Sequence, residues 1–154
     1  MTTLTRLLAI AGLLVLASCK TVEPEEPAQT GTLRATGVPG VFRYEVFGVE
    51  YETIASSLGY LEIGVASWYG KKFHGRRTSN GEIYDMYQIT AAHKALPLPT
   101  YAQVTNLDNG RKIVVRINDR GPFIDGRIID LTKRGANALK FRQQGLTRVR
   151  VETR

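Results

Sequence analysis

Cysteine is almost absent from this 154-residue chain: Cys19 is the only one, so no disulfide can close within it. Histidine is nearly as scarce, with His74 and His93 the only two. Together with Glu82 and Asp119 they match no familiar zinc-ligand spacing, and neither a metal nor another cofactor is expected. No apolar run approaches the roughly 20 residues that a membrane-spanning helix needs. No internal repeat or low-complexity tract is evident. Zinc-finger spacing, RNA-binding sheet motifs and glycine-lysine phosphate loops are all missing, which excludes the common nucleic-acid and nucleotide modules.

What is present begins at the amino terminus. Arg6 precedes the 11-residue apolar run LLAIAGLLVLA at residues 7–17, which ends in Leu16-Ala17-Ser18-Cys19. A positive start, a short apolar segment and small residues before a cysteine make a cleavable lipoprotein signal over residues 1–18, with Cys19 as the lipidation point and membrane anchor. The residue after it is Lys20 rather than the aspartate that usually retains lipoproteins of diderm bacteria at the inner membrane, and the resemblance to such lipoproteins implies the periplasmic face of the outer membrane. Residues 19–31 form a tether: residues 20–30 hold Pro24, Pro27 and three glutamates without an aromatic. The remainder suffices for one domain, read as an arm at residues 32–60 and a compact unit at 61–154.

Charge is unevenly spread. The formal net charge is +7, and residues 63–154 alone carry 17 basic and seven acidic side chains. Such an excess predicts an anionic partner. For an exported chain, cell-wall glycan with acidic stem peptides or lipid headgroups fits better than nucleic acid. The densest cluster is Lys71, Lys72, His74, Arg76 and Arg77.

Apolar and β-branched segments at residues 63–68, 86–91, 102–107, 112–117, 127–131 and 146–151, separated by turn residues, read as strands. Asn109-Gly110 between two of them signals a type I′ hairpin. Thr132 can cap a helix running to about Lys140, and Gly145 lies beyond its exit. Many short strands with one or two short helices point to a mainly β, closed barrel, because closure removes sheet edges. Residues 41–47 (VFRYEVF) alternate imperfectly and are expected to pack on the barrel as an extended arm.

Three segments carry chemistry. Residues 66–82 (ASWYGKKFHGRRTSNGE) crowd aromatics, bases and glycines together, a composition suited to sugar rings, whose C–H faces lie on aromatic rings while their hydroxyls bond to a polar rim. Trp68 and Tyr69 could equally be core residues, and as strand neighbours at most one is expected to be buried. His93 ends TAAH, as a functional group or as a half-buried residue bonded to a carbonyl. Asp119, in NDRGPF, is placed at a strand end before Gly121-Pro122, as a reactive carboxylate or a turn cap.

The series ASWYG, FHGRRTSNGE, TAAH, VTNL, NG, NDRGPF and RIIDL, running in this order from Gly64 to Leu139, closely resembles the rare lipoprotein A family. The resemblance implies a six-stranded double-psi β-barrel, a fold shared with expansins, and in some members lytic transglycosylase activity on peptide-poor peptidoglycan strands. It also implies Glu82, His93 and Asp119 as the catalytic set. Asp119 is expected as acid/base, Glu82 as a second carboxylate in the same cleft with roles interchangeable, and His93 as a modulator of their protonation. Trp68, Tyr69, Phe73, His74, Arg76, Arg120 and Phe123 are the expected glycan contacts. Partners are then peptidoglycan strands, the membrane through Cys19, no nucleic acid, and divisome or envelope proteins as further candidates. The sequence reaches Arg154 without the sporulation-related repeat of many members, which leaves septal targeting open. A non-catalytic glycan-binding lipoprotein, an envelope protein binding another protein and an expansin-like wall-loosening agent are the competing readings.

Overall fold

The structure is a computed structural model and describes residues 32–154; the signal segment, Cys19 and the tether at 19–31 lie outside the described residues. Strands β4 (Leu61–Tyr69), β5 (Thr90–His93), β6 (Thr100–Asn106), β7 (Lys112–Asp119), β8 (Arg127–Thr132) and β9 (Thr147–Glu152) close into a barrel in the order β4-β8-β5-β7-β6-β9. The β4–β8 and β5–β7 pairs are parallel and the other four antiparallel. This is the expected six-stranded barrel. Alternation sets its inside: Ala102 and Val104 of β6, Val115 and Ile117 of β7, and Val149 and Val151 of β9 are buried, while Tyr101 and Val114 face solvent. Phe141, Leu139 and Leu96 close the core.

Helix α1 (Lys133–Ala138) forms where expected. The Thr132 hydroxyl accepts from the Gly135 N–H at 3.2 Å and donates to the Gln88 carbonyl at 2.6 Å, joining helix start to barrel. A 3-10 turn, Lys71–Phe73, follows β4.

Three expectations change. The strand placed at 86–91 forms only from Thr90, because Asp85 bends the chain first through a side-chain bond from the Tyr87 N–H at 2.9 Å. Asn109-Gly110 is not a type I′ turn. Gly110 alone takes positive φ (72°), since Asn109 is occupied as a bracket, accepting from the Arg111 N–H at 3.0 Å and donating to the Leu139 carbonyl at 3.0 Å. The arm is not merely extended: β1 (Arg34–Ala35), β2 (Phe42–Val46) and β3 (Val49–Glu52) make an antiparallel sheet of their own. Arg43 and Glu52 pair at 2.8 Å on its solvent side. Its other side sends Tyr44 to the barrel, where the hydroxyl donates to the Lys94 carbonyl at 2.7 Å.

Candidate active site

The carboxy-terminal ends of β4 and β7, the 70–79 loop and the 120–127 turn surround a cleft of about 880 Å³. Trp68, Tyr69, Phe73, Arg76, Arg120 and Phe123 all line it. Trp68 and Tyr69 are strand neighbours and still share the cleft, because β4 ends there and Gly70 follows. A Cβ on Gly70 would lie 2.9 Å from the Trp68 ring, so glycine leaves the indole room. Tyr69 stacks on Tyr84 with centroids 4.3 Å apart. His74, expected with these contacts, is not among the lining residues. Its Nδ1 accepts from the Met86 N–H at 3.3 Å and lies 3.7 Å from Asp85, which draws the ring to the neighbouring turn.

Asp119 lines the cleft. Its Oδ1 accepts from the Ser79 N–H (2.8 Å), the Ser79 hydroxyl (2.7 Å) and the Arg120 N–H (2.9 Å). Burial raises its pKa against these donors, which favour the charged form. A second carboxylate in the same cleft is Asp130 of the RIIDL segment. The β5–β7 register slips between Ala91 and Ala92, so that Ala92 pairs with Asp119, and across the other edge of β5 the same Ala92 pairs with Asp130. Two inter-strand steps put the two aspartate Cα atoms roughly 10 Å apart. Asp130 Oδ2 takes a 2.9 Å bond from Arg127, while Oδ1 is buried without a donor. Burial therefore pushes its pKa up to about 6. Tyr69 lies near both: its hydroxyl is buried without a partner, and its pKa is raised by burial first and then by Asp119 and Asp130.

Glu82 does not share this cleft. Arg116 Nε approaches it at 3.2 Å, Asn118 Nδ2 donates to it at 2.8 Å and Asn80 Nδ2 at 2.9 Å. These donors, Arg116 first, hold its carboxyl at about 2. Glu82, expected to share a cleft with Asp119, has its carboxylate held by Arg116 and Asn118 of β7 and is not among the residues lining that cleft. Its neighbour Asn80 receives the Thr78 hydroxyl at 2.7 Å, so Glu82 braces the turn whose Ser79 holds Asp119.

His93 is buried at the end of β5 and also stands off the cleft. Its Nδ1 accepts from the Ala95 and Leu96 N–H groups, both at 3.1 Å, while Nε2 is 3.0 Å from the Tyr60 hydroxyl and 3.6 Å from Glu62. The Tyr60 hydroxyl in turn donates to Glu62. Both ring nitrogens are thus engaged away from Asp119 and Glu82, against the expectation that His93 tunes that pair. Arg120 Nη1 in turn donates to the carbonyls of His93 (3.2 Å) and Leu96 (2.6 Å), on the segment whose N–H groups the His93 ring receives.

The family model described as lytic transglycolase matches residues 62–151, which takes in the whole cleft except what the arm adds. The chain belongs to this family. Among its relatives is the endolytic peptidoglycan transglycosylase RlpA of Vibrio cholerae, 59% identical over 109 residues, covering 71% of this chain and 41% of that protein. The proteins of the same name from Pseudomonas aeruginosa (strain UCBPP-PA14) and Neisseria meningitidis (serogroup A) are 53% and 50% identical over 71% of this chain, and 32% and 46% of theirs. The chain thus spans less than half the length of these relatives. A solved structure, the Streptomyces papain inhibitor (SPI), shares the fold, with a TM-score of 0.52 at 21% identity over 63% of this chain and 96% of its own.

Within this lytic transglycolase barrel, five basic side chains (Lys72, Arg76, Arg77, Arg120 and Arg127) and two carboxylates line the cleft. The net potential favours an anionic polymer. The role of Glu82 is separable from the cleft by pH. Its ordinary value is 4.5 and its folded value about 2, so the stability from its pairing is full above 4.5 and is lost as pH falls toward 2. Glu82→Gln should flatten that part of the profile of melting temperature against pH. It should lower the activity of the cleft by on the order of 10-fold to 100-fold through a loosened Ser79 turn, less than loss of a cleft carboxylate. A variant as inactive as the cleft-carboxylate variants, with an unchanged pH profile, would return Glu82 to the reacting atoms.

Proposed function

We propose that the protein is an endolytic peptidoglycan lytic transglycosylase that cleaves between N-acetylmuramic acid and N-acetylglucosamine in peptide-poor strands and leaves 1,6-anhydro ends. The observation that carries this reading is the pairing of both Asp119 and Asp130 with Ala92 inside one basic, aromatic-lined cleft. Side chains reaching into the cleft from Cα atoms roughly 10 Å apart can bring carboxyl groups into the range of about 5 to 9.5 Å that glycosidic cleavage uses. The names of the relatives point the same way. Muramic acid freed of its stem peptide presents a lactyl carboxylate, which suits the surplus of bases.

Asp130, whose second oxygen has no donor to stabilise a charge, holds a proton nearest to neutral pH and acts as the acid. It gives that proton to the glycosidic oxygen as the bond to the anomeric carbon breaks. Asp119, whose Oδ1 accepts from the Ser79 and Arg120 N–H groups that favour its charged form, supplies negative potential to the developing oxocarbenium ion. The muramyl C6 hydroxyl then closes on the anomeric carbon, and its proton returns to the Asp130 carboxylate. The test is mass spectrometry of peptide-stripped sacculi incubated with the full chain. Anhydro-muramyl products are expected. Water-added reducing ends would mean a hydrolase, and binding without release would mean a glycan-binding protein.

The same proposal places the enzyme on the periplasmic face of the outer membrane, anchored through lipidated Cys19, on the strength of the Leu16-Ala17-Ser18-Cys19 segment and Lys20. Cys19→Ala should shift the protein from the membrane to the soluble or unprocessed fraction on cell fractionation. A mature, membrane-bound Cys19→Ala form would overturn the anchor while leaving the activity untouched.

A further inference from the structure

Outside the matched barrel, the β2–β3 hairpin turns on two residues, Phe47 and Gly48, between the paired Val46 and Val49. Both have positive φ, 51° and 77°. Such a turn is built for asparagine or aspartate followed by glycine, and a bulky aromatic in the left-handed region is a costly choice there. Core packing does not explain the choice, for Phe47 is 79% exposed. It is also a lining residue of the catalytic cleft, the one contributed by the hairpin. A strained residue whose side chain is spent on neither packing nor hydrogen bonding, at the edge of a substrate cleft, marks a functional position.

The hairpin is fixed well enough to aim that ring. Tyr44 stacks on Tyr51 with centroids 5.4 Å apart, and Phe123 of the cleft wall meets both, at 6.3 and 5.2 Å. The Arg120 guanidinium lies 5.7 Å over the Tyr44 ring. Beyond β3, the Ile54 N–H donates to the Ala95 carbonyl at 2.9 Å. The hairpin is therefore seated on the residues that position Asp119, with Phe47 carried at its tip.

We propose that Phe47 is a sugar-stacking platform: the hairpin extends the glycan site beyond the barrel, and the ring receives the C–H face of a pyranose distant from the cleaved bond. The proposal rests on the glycan-cleaving reading above. A pyranose is the occupant that matches, because the cleft already combines aromatic faces (Trp68, Tyr69, Phe73, Phe123) with a basic rim, and an exposed ring offers a flat apolar surface without competing polar groups.

The experiment compares wild type, Phe47→Asn and Phe47→Trp as full chains on long peptide-free glycan strands and on short muramyl oligosaccharides. Asparagine suits the turn, so Phe47→Asn should melt at the same temperature or higher. Its kcat/KM on long strands should fall about 3-fold to 10-fold, the scale of one aromatic contact, with a smaller change on short oligosaccharides that do not reach the tip. Phe47→Trp should retain most of the long-strand preference. Equal kcat/KM on long strands for wild type and Phe47→Asn would overturn the platform while leaving the enzyme reading intact. An equal fall on long and short substrates would also overturn it, showing that the ring acts at the cleaved bond. A wild type that neither binds nor cleaves any strand would remove both readings together.

Discussion

Asp130→Asn should cut the rate of anhydro-muramyl product release by on the order of 100-fold to 10,000-fold, the usual worth of a general acid/base. Asparagine keeps the shape and can still accept from Arg127, but it has no proton to give and retrieve. The sign of the stability change separates this role from a structural one. A carboxyl raised from 3.8 to about 6 by burial contributes stability below 3.8 that is lost as pH rises through 6. At pH 7 the buried charge is a burden, and the neutral asparagine should leave the melting temperature equal or higher. If Asp130 served only to pair with Arg127, the variant would melt lower at pH 7 and cleave at near-normal speed. Asp119→Asn should also be severe, since Oδ1 keeps its donors while the negative potential at the anomeric carbon disappears. Circular dichroism on both variants checks the fold. A fully active Asp119→Asn would remove that residue from the site.

His93→Ala is expected to be the most damaging change away from the cleft. It strips the acceptor from the Ala95 and Leu96 N–H groups, and the buried Leu96 donor left unpaired costs about 1–3 kcal/mol. A cavity adds to that loss. The carbonyls that grip Arg120 move with the freed segment, so cleavage falls along with the melting temperature. His93→Asn distinguishes the mechanisms. The asparagine Oδ1 reaches nearly where Nδ1 stood and can accept from the same two N–H groups, so stability and activity should both return in large part. A stable His93→Asn with no cleavage at any pH would instead make the imidazole a proton carrier and discard the positioning role.

Much of the barrel is legible in the chain itself. Its strands follow from alternation at residues 102–107, 112–117 and 146–151, and the helix start follows from Thr132. The motif series of the family carries the six-stranded barrel and draws attention to Asp119. Six of the seven expected glycan contacts line the cleft because they cluster at the end of β4, in the loop that follows it and in the 120–127 turn. Asp130 is visible in the sequence only as a letter in RIIDL, where an aspartate between two apolar residues of a strand is the available signal. Glu82 and His93 look like partners of Asp119 because a motif series records which residues recur and says nothing about which of them touch.

Local pattern by itself determined where the strands, the capped helix and the basic, aromatic loop lie, since alternation and capping are properties of near neighbours in the chain. It also determined the surplus of positive charge and the amino-terminal Leu16-Ala17-Ser18-Cys19 segment. Tertiary structure alone decided that Asp119 and Asp130 both pair with Ala92, that Arg116 pairs with Glu82, and that the arm folds into a hairpin presenting Phe47. The reason is register. A period of two assigns a side chain to a face, but a slip at Ala91-Ala92 on one edge of β5 and the pairing on its other edge set which residues lie opposite one another. Those choices belong to strands far apart in sequence.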